Sequence, residues 1–518
     1  NFAESAREML ISGNYLQIQI DYQAFAEKPP FFIWLQVISM KFFGVNEFAA
    51  RLPNALIGIV TMLTLLAIGK RVKDKYFGAL WALVYVSSFL PHFYFKSALI
   101  DPVFNLFIFT GIYFASKLTE NDEFTAKKRR RKIRNKAVFY AGLFIGLAVL
   151  TKGPVGLILF SLTYLMLFTL SRFKRLNNLW EMVYFGIICL ATIFVWYGLE
   201  WYVHGPAFMD GFLQRHIDLL TTADAGHGGP FFYHFLVLLF GCFPASVFMF
   251  GALKKHDFAT HLLQNFQKWM LSLLIVILLV FSLVQTKVIH YSSLAYFPIT
   301  FFATYFIYYL LEGERKWRWY HATLFLFIGV VWGVAIALVP VLGLNTDVIV
   351  GMINGKDPFA IANLKAQVYW SYYDTIYGLS YIFVLIFAGV MFALRNLRIG
   401  VATLFISSCM LIQLVVILFT PRIEKYTQDA AIEFYKEKAV EECYIQTLGF
   451  KSYAPLFYGE KSHDLKPLST ETLLNEYVKE AVYFVSKIDR KDEYLEMYPQ
   501  LELLREKNGF VFYRKRVY

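Results

Sequence analysis

The sequence predicts a polytopic α-helical membrane protein with a small α/β domain outside the membrane at its C-terminal end. Composition carries the first part: of 518 residues, 58% are hydrophobic, 19% aromatic and only 17% charged. A soluble fold exposing so many Phe and Leu side chains would aggregate, whereas in lipid a helix needs roughly 20 mostly apolar residues to cross. The second observation is that apolar runs of this length recur along most of the chain. The third is a change of character after residue 420, where charges become frequent.

Runs able to span lie near residues 52–71, 78–94, 102–117, 137–150, 155–171, 179–200, 231–253, 268–285, 291–311, 320–343, 374–394 and 401–420, about twelve in all. Alternate connections carry "KRVKDK", "KKRRRKIRNK", "SRFKR", "LKKHD", "ERKWR" and "RNLR", and the positive-inside rule puts these in the cytoplasm. Residues 1–50, 201–230 and 421–518 then share the opposite, periplasmic or lumenal, side. The net charge of +12 resides in these short loops and not in a patch, which excludes nucleic acid as a partner. Four cysteines are too scattered for a disulfide framework or a zinc cluster. The chain opens on "NFAESAREML" with no signal sequence, and a first span is expected upstream.

Residues 1–420 therefore read as the transmembrane unit and 421–518 as the outer α/β domain. In the latter, "ECYIQTLG", "AVYFVSKI" and "GFVFYRKRV" read as strands between the helical stretches "TQDAAIEFYKEKA" and "STETLLNEYVKE". Ser469 opens the last of these, with Glu471 near the capping-box position. No Gly-rich phosphate loop is present, so nucleotide-driven chemistry is not expected.

Chemistry is expected on the outer side. In "YQAFAEKPPFFIWLQ", Glu27 and Lys28 precede two prolines, which remove two backbone donors and force the preceding residue out of helical geometry. Lys28 should close an extended loop at the membrane surface, where the pair is either an interfacial marker or a site. Asp101, in "SALIDPVFNLF", stands at the outer end of a span before Pro102, where it serves as a helix cap or as a functional acid. Two more clusters are "QRHIDLLTTADAGHGGPFFYHF", with Arg215 and His216, and "QTKVIHYSSLAYFP", with Lys287, His290 and Tyr291. Acids, histidines and cations converging on one face suit a lipid with an anionic head and a polar group to pass on. Lysines such as Lys28 and Lys287 supply point charges for phosphate, and a carboxylate can act as a base.

Seven segments in order, "NFAESAREMLISGNY", "FAEKPPFFIWLQ", "FGVNEFAARLPNAL", "LIDPVF", "LAVLTKGPVGLIL", "HGGPFFYHF" and "TKVIHYSSLAYFP", resemble the protein mannosyltransferase superfamily of membrane glycosyltransferases. These have the GT-C fold and use a polyprenyl-phosphate sugar as donor; the closer likeness is to the bacterial branch containing the lipid A aminoarabinose transferase. The resemblance runs from residue 1 to about residue 300. It implies a multi-pass protein of the bacterial inner membrane that acts in the periplasm, moving a sugar with inversion from an undecaprenyl-type phosphate to lipid A, a protein or another glycan. It implies Asp101 as an active-site carboxylate, Lys28 on the donor phosphate, Tyr291 lining the lipid-phosphate cavity, and Glu27 with His216 as ligands for a divalent metal, Zn or Mn. Two departures stand out. The family's first-loop Asp-Glu pair would precede residue 1, and the Arg that often follows the loop histidine is replaced by Leu219, Leu220 and Thr221, which shifts the expectation to Arg215. A flippase for polyprenyl-linked sugars is the main competing reading, but no paired halves are visible; a non-catalytic relative is the other.

Overall fold

The computed structural model describes residues 1–120, 127–172, 178–206, 210–212, 214, 228–253, 260–353 and 355–516. The transmembrane unit begins with an amphipathic helix at one end of the bundle, α1 (Phe2–Ser12), a short hairpin of β1 (Gln19–Ile20) and β2 (Gln23–Ala24), and α2 (Phe31–Phe43). There follow α3 (Glu47–Val72), α4 (Lys75–Val86), α5 (Phe89–Tyr94), α6 (Asp101–Ser116), α7 (Lys127–Lys152), α8 (Val155–Leu170) and α9 (Leu179–His204). Helices Tyr233–Gly241, Ala245–Met249, His261–Leu283, Tyr296–Leu311, Trp319–Leu344, Ile376–Ala393 and Leu397–Lys425 complete the bundle.

Among the described residues, eight helices are long and apolar enough to cross a membrane, and the pair Tyr233–Gly241 with Ala245–Ala252, bent by 109°, is a broken span or a re-entrant loop. Shorter apolar helices, among them α4 and α8, account for part of the difference from the twelve or so runs read from hydropathy. Apolar composition does not report helix length: 78–94 divides at Ser87 and Ser88 into α4 and α5, and α8 has only 16 residues, about 24 Å at 1.5 Å per residue. The segment Ile289–Leu311 is 89% buried and forms the centre, whereas only 11% of the α9 window is buried, leaving Leu190 and Phe194 facing outward as lipid-exposed side chains do. α3 and α4 approach backbone to backbone through Gly69 and Gly78, where a Cβ on Gly69 would come within 2.5 Å of the Gly78 Cα.

The C-terminal unit is a four-stranded sheet in the order β3 (Cys443–Leu448), β4 (Ala481–Lys487), β6 (Phe510–Lys515), β5 (Leu501–Lys507). β3 and β4 run parallel, pairing Cys443 with Ala481, and β5 and β6 form a hairpin. That hairpin turns at Asn508 and Gly509, both with positive φ, as a type I′ turn requires. Phe434 and Tyr435 of the helix Asp429–Lys438 pack on one face with Ile445 and Phe512; Leu473, Leu474 and Tyr494 cover the other. Ser469 caps Thr470–Asn475 by accepting the Thr472 N–H at 3.0 Å, with Thr472, not Glu471, three residues after the cap.

A buried polar seam joins the sheet domain to α1. Glu4 holds Arg7 through both oxygens at 2.7 and 2.8 Å, and Arg7 donates onward to the Lys461 carbonyl at 3.1 Å. Tyr22 donates to the same carbonyl at 3.0 Å, and the Lys461 ammonium reaches Asp21. Glu8 accepts the backbone N–H groups of Asp21 (2.7 Å) and Tyr22 (2.9 Å), which fixes two non-glycine residues with φ of 58° and 56° in the hairpin turn. Burial beside Glu4 pushes the Glu8 carboxyl up to about 8.

Candidate active site

Asp101 is the first residue of α6, but it is not its cap: Ile100 takes that position and no side chain caps the helix. The Asp101 carboxylate is 2% exposed; one oxygen accepts from the Lys152 ammonium at 2.5 Å, and the other has no partner among the described residues. Lys152 is the last residue of α7, so an acid at one helix N-terminus meets a base at a neighbouring C-terminus, each on the end its helix dipole favours.

Local sequence explains the placement. After Lys152 the chain reverses at Gly153, φ 90°, and Pro154 opens α8, so "TKGP" is a helix stop, a left-handed turn and a helix start in succession. On the other side, Asn54 of α3 donates to the carbonyls of Ser97 (2.8 Å) and Leu99 (2.7 Å), clamping the loop that delivers Asp101. Lys152 and Asn54 were not picked out from the sequence, although both lie inside the motifs "LTKGP" and "RLPNAL".

Of the other expected residues, Tyr291 comes close to this pair. The Lys152 ammonium stands 5.4 Å from the Tyr291 ring centroid and 5.5 Å from that of Phe104. Tyr291 lies in the 3₁₀ segment Ile289–Ala295, anchored to α6 by the Asn105 amide donating to Ser293 Oγ at 2.8 Å, and its ring meets His290 edge-on at 5.1 Å. Glu27 and Lys28 approach from the first loop, as Pro30 ends it and α2 starts at Phe31. Phe32 of α2 packs on Ile100 and Val103, one residue before and two after Asp101. The Lys28 ammonium is 3.8 Å from Glu27 Oε1, beyond hydrogen-bond reach.

Lys287 has a different place. Its ammonium donates to the carbonyls of Phe281 (3.0 Å), Ser282 (2.8 Å) and Val284 (2.6 Å), closing the end of His261–Leu283, and Gly229 lies against its stem. Burial lowers its pKa. All three N–H donors are spent on carbonyls, so contact with a phosphate would require it to leave the helix end. Arg215 and His216 lie outside the described residues. Among the described residues no three His, Cys, Asp or Glu side chains form a metal-holding group; of the metal pair expected from the sequence, only Glu27 lies among them.

The described site thus combines a buried carboxylate with one uncommitted oxygen, the Lys152 ammonium and the Tyr291 ring, with Glu27 and Lys28 on the loop before α2, whose Phe32 packs beside Asp101. Residues 27–197 match the family model described as dolichyl-phosphate-mannose-protein mannosyltransferase. Over 304 residues the chain is 25% identical to the undecaprenyl phosphate-alpha-4-amino-4-deoxy-L-arabinose arabinosyl transferase of Wigglesworthia glossinidia brevipalpis, covering 58% of this chain and 52% of that protein. The corresponding transferase 1 of Proteus mirabilis (strain HI4320) is 27% identical over 267 residues, 49% of this chain and 45% of that one. The chain spans about half the length of the curated relatives it matches. In fold it is similar to ArnT from Cupriavidus metallidurans bound to undecaprenyl phosphate, with a TM-score of 0.76 at 16% identity over 99% of this chain and 92% of that one. Family model, relatives and fold agree with the loop motifs: residues 27–197 resemble the mannosyltransferase family, the two relatives are aminoarabinose transferases at 25% and 27% identity, and the whole chain shares the fold of ArnT.

Proposed function

We propose that the protein is a glycosyltransferase that moves a sugar from a polyprenyl-phosphate donor to an acceptor, lipid A, a protein or another glycan, on the periplasmic face of the bacterial inner membrane. The observation that carries this reading is Asp101, buried, held through one oxygen by Lys152, with its other oxygen unclaimed, while the same Lys152 ammonium stands 5.4 Å from the Tyr291 ring. That oxygen can accept a hydrogen bond from the attacking hydroxyl or amine and align it. The leaving group is a phosphate, and Lys28 supplies positive charge where negative charge grows. Tyr291 offers an aromatic wall to the lipid phosphate. Attack opposite the leaving phosphate inverts the sugar carbon.

Arg215 completes the phosphate contacts in this reading, and His290 and Lys287 border them. Glu27 with His216 are the ligands we propose for a divalent ion, zinc or manganese, which would supply Lewis acidity at the phosphate. Exhaustive chelation should weaken donor binding in the wild type and change little in Glu27→Ala; full activity in metal-free protein removes the ion from the proposal.

The reading is tested by incubating the purified full chain with radiolabelled polyprenyl-phosphate sugars, and by mass spectrometry of surface glycolipids and glycoproteins from cells with and without it. One class of glycoconjugate should lose a sugar mass when the protein is absent. Identical glycoconjugate profiles, with no transfer from any polyprenyl-phosphate sugar, would refute the assignment.

A further inference from the structure

A cavity of about 280 Å³ lies where the sheet domain meets the bundle, bounded by the helix Pro358–Leu364, the start of Asp429–Lys438 and the loop at Phe450–Ala454. Its floor is aromatic: Phe359 and Phe450 both stand edge-on or tilted against Phe510, at 5.2 and 6.2 Å. Its polar wall contains Lys451, Lys487 and Asn363, and no carboxylate lines it. Neither lysine has an ion-pair partner among the described residues; Lys487 stands 4.8 Å from the Phe359 ring and Lys451 stands 5.3 Å from that of Tyr453. Asn363 is 8% exposed and its amide oxygen has no hydrogen-bond partner, a buried polar atom left unsatisfied in a wall otherwise well packed.

We infer that this cavity is a binding site for a phosphorylated sugar, distinct from the site at Asp101. Each wall meets one part of such a ligand. The apolar C–H face of a sugar ring lies on the phenylalanines, a hydroxyl satisfies the Asn363 oxygen, and the phosphate meets two lysines with no competing acid. The volume is at the small end of ligand pockets, about 300 Å³ and upward, which fits one ring and not an oligosaccharide. The loop that carries Lys451 also carries Tyr453, whose ring is 6.0 Å from that of Phe25, two residues from Glu27. The loop that forms one side of the cavity therefore also touches the first loop. Preceding it, the helix Thr346–Ile353 exposes Val348 and Met352 as an interfacial helix does, so a lipid headgroup and a soluble sugar phosphate can both reach it.

The test uses the full chain in nanodiscs and glucose 1-phosphate as probe, with glucose and inorganic phosphate alone, read by calorimetry. Glucose 1-phosphate should bind at least tenfold more tightly than either part. The double variant Lys451→Gln/Lys487→Gln, whose side chains are partly or fully exposed and whose melting temperature should match wild type, should lose at least tenfold; Asn363→Ala should lose a smaller factor. Lys28→Ala should leave binding intact. Loss in Lys28→Ala with full binding in the double lysine variant would move the ligand to the Asp101 site and overturn the inference, as would no binding at all. Nanodiscs containing a phosphorylated glycolipid displace the probe if the natural ligand is a headgroup and leave it bound if the ligand is soluble. All of these readouts are of binding, so they stand or fall independently of sugar transfer.

Discussion

Replacing one partner of the Asp101–Lys152 pair should cost stability as well as activity, and the two can be separated. At 2.5 Å, with side-chain exposures of 3% and 14%, the gross attraction is about 6–7 kcal/mol at an effective dielectric near 20. Most of that offsets desolvation, so the measurable quantity is the cost of leaving one charge alone, about 3–5 kcal/mol. Asp101→Asn should fall at the lower end, because the amide still accepts from Lys152; Lys152→Met should fall at the upper end, because it strands a buried carboxylate. The double variant should be less destabilised than the sum of the singles by about 2 kcal/mol. Reversible unfolding of the full chain in detergent measures all four corners of the cycle. Turnover should follow a different pattern: down by about 10² or more in Asp101→Asn, and not restored when the double variant regains stability. Additive single effects would refute the pairing. Activity recovered along with stability in the double variant would show that Asp101 only holds the bundle together.

Three further outcomes follow from the same geometry. Lys28→Ala should weaken donor binding by about ten- to a hundredfold, the loss of a charge-assisted contact of about 1.5–3 kcal/mol, with Lys28→Arg rescuing in part; unchanged donor affinity would leave Lys28 an interfacial anchor. In the seam, Glu8 titrates near 8 in the folded chain against 4.5 in the ordinary case. Folding therefore favours its protonated form, a contribution complete below 4.5 and lost as pH rises through about 8, so the melting temperature should fall across that window and the fall should flatten in Glu8→Gln. An equally steep profile in Glu8→Gln assigns the titration elsewhere. Finally, an impermeant thiol reagent on intact cells should label Glu460→Cys and spare Arg130→Cys; the reverse pattern would invert the proposed orientation.

The positions of Lys28, Asp101 and Tyr291 at the ends of apolar runs were legible in the sequence because each sits in a short motif there, and hydropathy alone puts such ends on one side. Lys152 was not, because a lysine that ends a span reads as an interfacial anchor until the neighbouring helix is known to start with an acid against it. Asn54 was missed for a similar reason: its partners are backbone carbonyls 43 and 45 residues away, which leave no trace in residue types. In the sheet domain, β3, β4 and β6 matched their apolar runs, but "LELLREK" escaped notice, since an edge strand with Glu502, Leu503 and Leu504 exposed shows no alternation. Lys287 shows the converse, a cation whose sequence position suited phosphate and whose donors in the structure go to the carbonyls of a helix end.

The seam at Lys461 also sets an order of assembly. Arg7 and the carbonyl that receives it are 454 residues apart, and at about 5–20 residues per second of synthesis the first helix waits roughly 20–90 s for that acceptor. The helices between them can be in the bilayer long before α1 and its hairpin gain the contacts that fix Asp21 and Tyr22. The face that carries Glu27 and Lys28 is therefore finished last, and a chain stopped before β3 should insert normally yet be cut by protease within residues 13–30, where the complete chain resists. A truncated chain as resistant there as the complete one would show that the first loop matures without its distant partner.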